Sequence, residues 1–204
     1  MNESQYLALL EKTKVLEYGH FVGKSRRHLD AYVNKAAITD PFVRFELSRA
    51  MAEKLQNYRI DTIVGPAVDG VRLADFVAYH LSLLTPSQVV QSLCAYKREK
   101  GGFRLKAGDH FLAQGQTVAL VDDIATSGTT ITEVEELVIA HGGQVKAKVV
   151  LWNRGNVPGI ISLISKQLPS WEAQKCPMCQ DKVLIRTDLG HGAVFLASIQ
   201  KDKA

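Results

Sequence analysis

Residues 118–138 read VALVDDIATSGTTITEVEELV, and this stretch decides the fold. The β-branched and aliphatic run Thr117–Val121 predicts a buried strand, and the apolar spacing over Ile131–Ala140 predicts a helix. Between them stand two adjacent carboxylates, Asp122 and Asp123, then Thr126-Ser127-Gly128-Thr129-Thr130. The first amide groups of a helix have no carbonyl partner, so a helix start attracts anions. Gly128 lets the backbone come close, and four hydroxyls add donors. Such a cradle suits a phosphate monoester. The acid pair would repel a phosphate, but it accepts hydrogen bonds well from the cis-diol of a neighbouring sugar. Acids beside a phosphate loop therefore point to a ribose 5-phosphate. An isolated Asp-Asp pair is more often a strand end with a capping residue; the strand–loop–helix setting is what favours the site.

On either side, elements alternate. Residues 3–17 are expected to be helical, and residues 19–34 to form two short extended pieces joined by a polar turn. Asp40-Pro41 predicts a helix start, continued by Leu47, Met51 and Leu55 at steps of four. Ile60–Val64 is a strand-like run, Val71–Leu84 helical, and Val89–Ala95, Val145–Leu151 and Ile160–Ser165 strand-like. Strands alternating with helices imply an α/β fold with a mainly parallel sheet flanked by helices. Ligands in such sheets bind outside the carboxyl ends of the strands, so chemistry is expected just after residues 64, 95, 121 and 151.

Asp122 to Thr130, an apolar strand followed by two acids, two variable residues and a Thr-x-Gly-Thr-like loop, resembles the phosphoribosyl pyrophosphate (PRPP) motif of the type I phosphoribosyltransferases. The resemblance implies that family's fold, with a small N-terminal hood, and PRPP bound by Asp122, Asp123, Ile124, Ala125, Thr126, Ser127, Gly128, Thr129 and Thr130. Three further segments are similar to the orotate-specific members. Phe21–Arg27 with Ala31–Asn34 looks like their N-terminal Lys-Ser-Gly-Arg stretch, which implies Lys24 at PRPP and Tyr32 against the base. Arg26 stands where the family usually has glycine, which enters a positive-φ turn more cheaply. Tyr96–Phe103 resembles the family's basic lid, which reaches across a dimer to a neighbour's pyrophosphate. It is shorter here and lacks the usual histidine, so Lys97, Arg98 and Lys100 would carry the catalytic role. Arg154, after Leu151-Trp152-Asn153, matches the arginine that holds the carboxylate of orotate, with Thr126 also at the base. A guanidinium pairs with a planar carboxylate through two parallel hydrogen bonds. Gly65–Gly70 resembles the loop whose backbone faces the pyrophosphate. The implied reaction is transfer of ribose 5-phosphate from PRPP to orotate, with Mg²⁺ held mainly by substrate and water, in a homodimer. Two alternatives stand beside it: another base such as a purine, or a PRPP-sensing regulator without catalysis.

The whole chain sets the outer limits. Its 204 residues suffice for one substantial core, and 46% hydrophobic with 23% charged residues is ordinary for a globular protein. A net charge of +4 with no dense Lys/Arg stripe fits anionic small molecules rather than nucleic acid. No apolar run of ~18 residues predicts a membrane span, and the N-terminus lacks the order of a signal peptide. Three cysteines argue against a disulfide scaffold, so a cytoplasmic protein is expected.

Residues 1–166 are expected to form the phosphoribosyltransferase domain with its hood, and residues 167–204 an extension packed on the same domain. That extension carries Cys176-Pro177-Met178-Cys179, with zinc-knuckle spacing. Closing a zinc site takes two more ligands, for which His191, Asp181, Asp188 or Cys94 come into question. Reduced thiols in a surface turn are the preferred reading. Gly190-His191-Gly192 reads as a turn. Gly19–Ser25 is one residue short of a nucleotide P-loop and follows a helix rather than a buried strand, which rules that motif out.

Overall fold

A computed structural model describes residues 1–86, 88–106 and 115–201, with the backbone alone at 200 and 201. Two units emerge, one of residues 1–6 and 40–167, the other of residues 7–39 and 168–204. These boundaries differ from a division at residue 166, because residues 168–204 group with residues 7–39.

Helix α1 (Glu3–Lys12) begins the chain and is shorter than residues 3–17. The second unit contains β1 (Leu16–Val22) and β2 (His28–Val33), an antiparallel pair. The larger unit, begun by residues 1–6, resumes with α2 (Pro41–Leu55). Asp40 caps it: its carboxylate accepts from the Phe42 and Val43 amides at 2.8 and 3.4 Å. Leu47, Met51 and Leu55, at steps of four, are fully buried.

Next come β3 (Thr62–Pro66), α3 (Asp69–Leu84), β4 (Gln91–Lys97), β5 (Phe103–Arg104), β6 (Thr117–Ala125), α4 (Thr129–Ala140), β7 (Gln144–Asn153) and β8 (Ile161–Ile164). They form a six-stranded sheet in the order β5-β4-β3-β6-β7-β8. All pairings are parallel except β4 with the short β5. The chain steps outward from β3 to β4, then returns to place β6 on the other side of β3. This reversal opens a crevice at the carboxyl ends of β3 and β6, where open α/β sheets bind ligands.

The sheet is held by continuous aliphatic strands. Val118, Leu120, Val150 and Val64 pack with Ile131, Val134 and Val138 of α4 in one buried cluster. Helices α2 and α3 pack against each other and contribute fully buried Leu47 and Val77. A strand buried on both faces has few places for polar groups, so the buried Asp122 and Asp123 stand out within β6.

The second unit closes with β9 (Ser170–Trp171), which pairs with β2, then α5 (Pro177–Gln180) and α6 (Gly192–Lys201). Gly190 has φ +69°, as a turn requires, but Gly192 already begins α6. Among the described residues no helix is long and apolar enough to cross a membrane.

Candidate active site

Strand β6 runs four residues beyond Val121, because Asp122, Ile124 and Ala125 pair with Val150, Trp152 and Asn153 of β7. The acids are therefore strand residues rather than the start of a loop. They are 8% and 2% exposed. The Asp123 amide donates to Asp122 Oδ1 at 2.9 Å, and the Ile124 amide to Asp123 Oδ1 at 2.6 Å. Local backbone bonds thus fix both carboxylates.

After Ala125 the chain turns through Thr126-Ser127-Gly128 into α4. Gly128 sits in the left-handed region at φ +80° and its carbonyl accepts from the Thr132 amide at 2.9 Å. A side chain there would be strained and would also meet Val157 Cγ1 at 2.8 Å. The Ser127 and Thr129 hydroxyls lie 2.9 Å apart. Asp122 and Ile124–Ile131 line a cavity of about 150 Å³ at the N-terminus of α4. Its lining supplies the amides of a helix start, several hydroxyls and one carboxylate, the donor set of a sugar phosphate site. A larger cavity of about 620 Å³, lined by Gln56–Ile60, Leu81, Thr85 and Gln88, lies instead at the amino end of β3 and includes neither a carboxylate nor any of residues 122–131.

The β3–α3 turn, residues 65–70, comes close to the acids. A Cβ on Gly70 would lie 3.0 Å from Asp122 Oδ1 and 2.6 Å from Pro66 Cδ; one on Gly65 would lie 2.4 Å from the Gly70 carbonyl oxygen. The Ala67–Val68 peptide is cis, and the Ala67 amide donates to the Ala95 carbonyl. Only glycine lets this turn pack so tightly against β6.

Arg154 is partly exposed at the end of β7. Its loop is braced by Asn153, whose amide donates to the Val157 carbonyl at 2.9 Å while its oxygen accepts from the Val157 amide at 2.8 Å. Asn153 was not expected to matter; a buried amide closing its own loop leaves no sequence signal. The basic segment after β4 forms a hairpin: the Arg98 amide donates to the Gly102 carbonyl at 3.0 Å, and Gly101 and Gly102 both have positive φ. Lys97, Arg98 and Lys100 are all exposed on it.

Lys24 and Tyr32 belong to the second unit. Lys24 is exposed in the β1–β2 turn, and the Tyr32 ring lies 5.5 Å from that of Phe21. Arg26 adopts φ +61°, so the turn keeps the conformation that glycine would favour. Its guanidinium bonds Ser198 Oγ at 3.0 Å and lies over the Phe195 ring, contacts that hold an arginine where the backbone is costly.

The cysteines depart from expectation. Cys176 is fully buried rather than part of a surface turn, and no cysteine is in a disulfide. The side chains that gather with Cys176 and Cys179 are His20 and His28; the group contains none of His191, Asp181, Asp188 or Cys94. Burial lowers the pKa of His28, and His20 adds to the shift. Burial likewise raises the pKa of the Cys179 thiol, with Cys176 adding.

An acid pair ending a central parallel strand, a hydroxyl-rich helix start after it and a glycine-tight turn beside it are the features of an enzyme that handles a ribose phosphate. Residues 36–159 match the phosphoribosyl transferase domain, and the chain belongs to that family. Its relatives narrow the class. It is 33% identical over 190 residues to the orotate phosphoribosyltransferase of Caldanaerobacter subterraneus subsp. tengcongensis, covering 90% of this chain and 95% of that protein. It is also 33% identical to the orotate phosphoribosyltransferase of Thermotoga maritima, covering 86% and 92%. In fold it resembles the crystal structure of orotate phosphoribosyltransferase from Aeropyrum pernix, with a TM-score of 0.63 at 23% identity, covering 77% of this chain and 91% of that one.

Proposed function

We propose that this chain is an orotate phosphoribosyltransferase, forming orotidine 5′-monophosphate and pyrophosphate from PRPP and orotate. The observation that carries the reading is the joining of two loops, the hydroxyl-rich turn after β6 and the Arg154 loop after β7. Gly155 donates its amide to the Ala125 carbonyl at 3.0 Å, so an arginine stands beside a sugar phosphate cradle. Among the bases considered, orotate is the one with a carboxylate for that guanidinium to hold. The 33% identity to orotate enzymes over 90% of the chain supports the same choice.

In this reading the amides and hydroxyls of residues 126–130 bind the 5-phosphate. Asp122 and Asp123 accept hydrogen bonds from the ribose hydroxyls, and Arg154 with Thr126 orients the base. The bond from C1 to the diphosphate oxygen breaks, the bond from C1 to N1 of orotate forms, and the N1 proton passes to the departing diphosphate or to water. Lys97, Arg98 and Lys100 cover the departing diphosphate, supplying positive charge where negative charge develops and shutting out water that would hydrolyse PRPP. Mg²⁺ would be carried mainly by diphosphate oxygens and water, as is usual for this ion. Bound there, Mg²⁺ would neutralise the leaving group. The likeness of the hairpin to a lid that crosses a dimer supports a homodimer, and the lack of disulfides suits the cytoplasm.

Titration of Arg154→Leu tests the base assignment. Affinity for orotate should fall roughly 10- to 150-fold, the worth of a charged hydrogen bond, while PRPP affinity stays unchanged. Unaltered orotate affinity would remove Arg154 from the site.

A further inference from the structure

His20, His28, Cys176 and Cys179 come from opposite ends of the chain, yet one ligand atom from each lies within 4.8 Å of all the others. The phosphoribosyl chemistry uses none of them. His20 and His28 face each other across β1 and β2, below the turn that bears Lys24. Cys176 precedes α5 and Cys179 lies within it, and the Cys179 and Gln180 amides donate to the Cys176 carbonyl at 3.1 and 3.2 Å.

We propose that His20 Nε2, His28 Nδ1, Cys176 Sγ and Cys179 Sγ hold one structural zinc ion. The distances suit it. Zinc bonds of about 2.0–2.1 Å to nitrogen and about 2.3 Å to sulfur, at tetrahedral angles, set nitrogen–sulfur separations of about 3.6 Å. Three of the four nitrogen–sulfur separations are 3.6 Å from Cys176 to His20, 3.7 Å from Cys179 to His20 and 3.4 Å from Cys179 to His28, and no pair of ligand atoms is more than 4.8 Å apart. The two ring nitrogens are 2.7 Å apart, and the ion would part them to about 3.3 Å, a small side-chain adjustment.

The hydrogen bond behind His20 agrees. His20 Nδ1 lies 2.7 Å from the Val183 carbonyl oxygen, which only accepts, so Nδ1 carries the proton. In the neutral ring Nε2 then turns a bare lone pair toward the other three donors. Two thiolates, two neutral imidazoles and Zn²⁺ sum to zero charge, which suits burial. Four protein ligands leave no open position, so the site is closed and structural.

The carboxyl-terminal segment of the second unit also has little buried apolar surface of its own. Among the described residues of 168–199, only Cys176 and Gly192 are buried, while Leu184 is 87% and Val194 70% exposed. With so little apolar burial, this segment depends on another source of stability, as small metal-stapled units do.

The test uses the full chain, purified without a metal-binding tag. Elemental analysis should find about one zinc per chain, as a closed four-ligand site requires. Cys176→Ser with Cys179→Ser should lose it, and His191→Asn and Cys94→Ala should keep it. Stripping zinc from the wild type should lower the melting temperature, and Zn²⁺ alone should restore it. Co²⁺ in its place should give thiolate charge-transfer bands and tetrahedral d–d bands. Zinc retained in full by the double serine variant would overturn the proposal. So would a wild type that takes up no zinc, or a Co²⁺ spectrum without thiolate bands; the spectrum decides the matter if the serine variant fails to fold. In those cases the imidazoles simply share an N–H···N bond.

Discussion

Gly155 lies directly against Thr126: a Cβ at position 155 would sit 1.6 Å from the Thr126 carbonyl oxygen. The obstacle is backbone, which cannot swing aside as a flexible side chain would. This contact joins the loop that presents Arg154 to the turn after β6, the proposed phosphate cradle.

Gly155→Ala should therefore push the two loops apart. Misplacement of about 1 Å in a reacting geometry costs on the order of 10²-fold in rate. Steady-state kinetics should show a loss of that order in kcat/KM. Wild-type kcat/KM in this variant would mean that the two loops do not act together.

Asp123→Asn keeps the size of the side chain and an oxygen to accept from the Ile124 amide, but removes the charge offered to the ribose. A charged hydrogen bond is worth about 1.5–3 kcal/mol, so turnover should fall roughly 10- to 150-fold. The melting temperature should stay near that of the wild type. Unchanged turnover would sink the assignment of the acid pair.

Substituting Lys97, Arg98 and Lys100 together by alanine removes exposed charge and little packing. kcat should fall by about 10²-fold or more, as when a group that stabilises developing charge is deleted, with the melting temperature unchanged. The remaining activity should respond less to salt than the wild type does, since screening acts on these charges. Equal salt responses in the two proteins would leave the hairpin as a solvated surface turn.

Asp61 pins β3 to β6 away from the site. Its carboxylate accepts from the Thr117 hydroxyl and amide at 2.7 and 2.8 Å and from Gln88 at 2.6 Å. The Thr117 hydroxyl chiefly, then its amide, hold the Asp61 pKa below the ordinary carboxylate value. The folded value being depressed, its stabilisation is fully present above the unfolded pKa of about 3.9 and is lost as pH falls through the folded value. Asp61→Ala should cost about 2 kcal/mol at neutral pH by urea denaturation. That gap should narrow below about pH 4; a gap that widens on acidification would contradict the assignment.

Local signals in the sequence carried most of the large unit. Asp40-Pro41 marked the start of α2, and four-residue steps placed Leu47, Met51 and Leu55 in the core, because caps and helical periods are written within a few residues. The strand before Asp122 was equally legible, though its end was set too early: β6 continues through the acids only because β7 pairs with them, and pairing partners are not written locally. The second unit was hardest to read. His20 and Cys176 lie 156 positions apart, and nothing near either points to the other. The Cys-x-x-Cys spacing announced half of a metal site, while its histidines sat in a stretch notable only as an incomplete P-loop. Arg26 shows the converse: a residue unsuited to a positive φ still takes it where Ser198 and Phe195 hold its side chain.

The central claim is a transfer from PRPP to orotate. Pyrophosphate release from PRPP with Mg²⁺, measured separately with orotate, uracil, adenine, hypoxanthine and guanine, tests it most directly. Release with orotate alone is the result expected. Release with a different base would contradict the substrate while leaving the PRPP site in place, and tight PRPP binding without release for any base would instead make the chain a PRPP sensor.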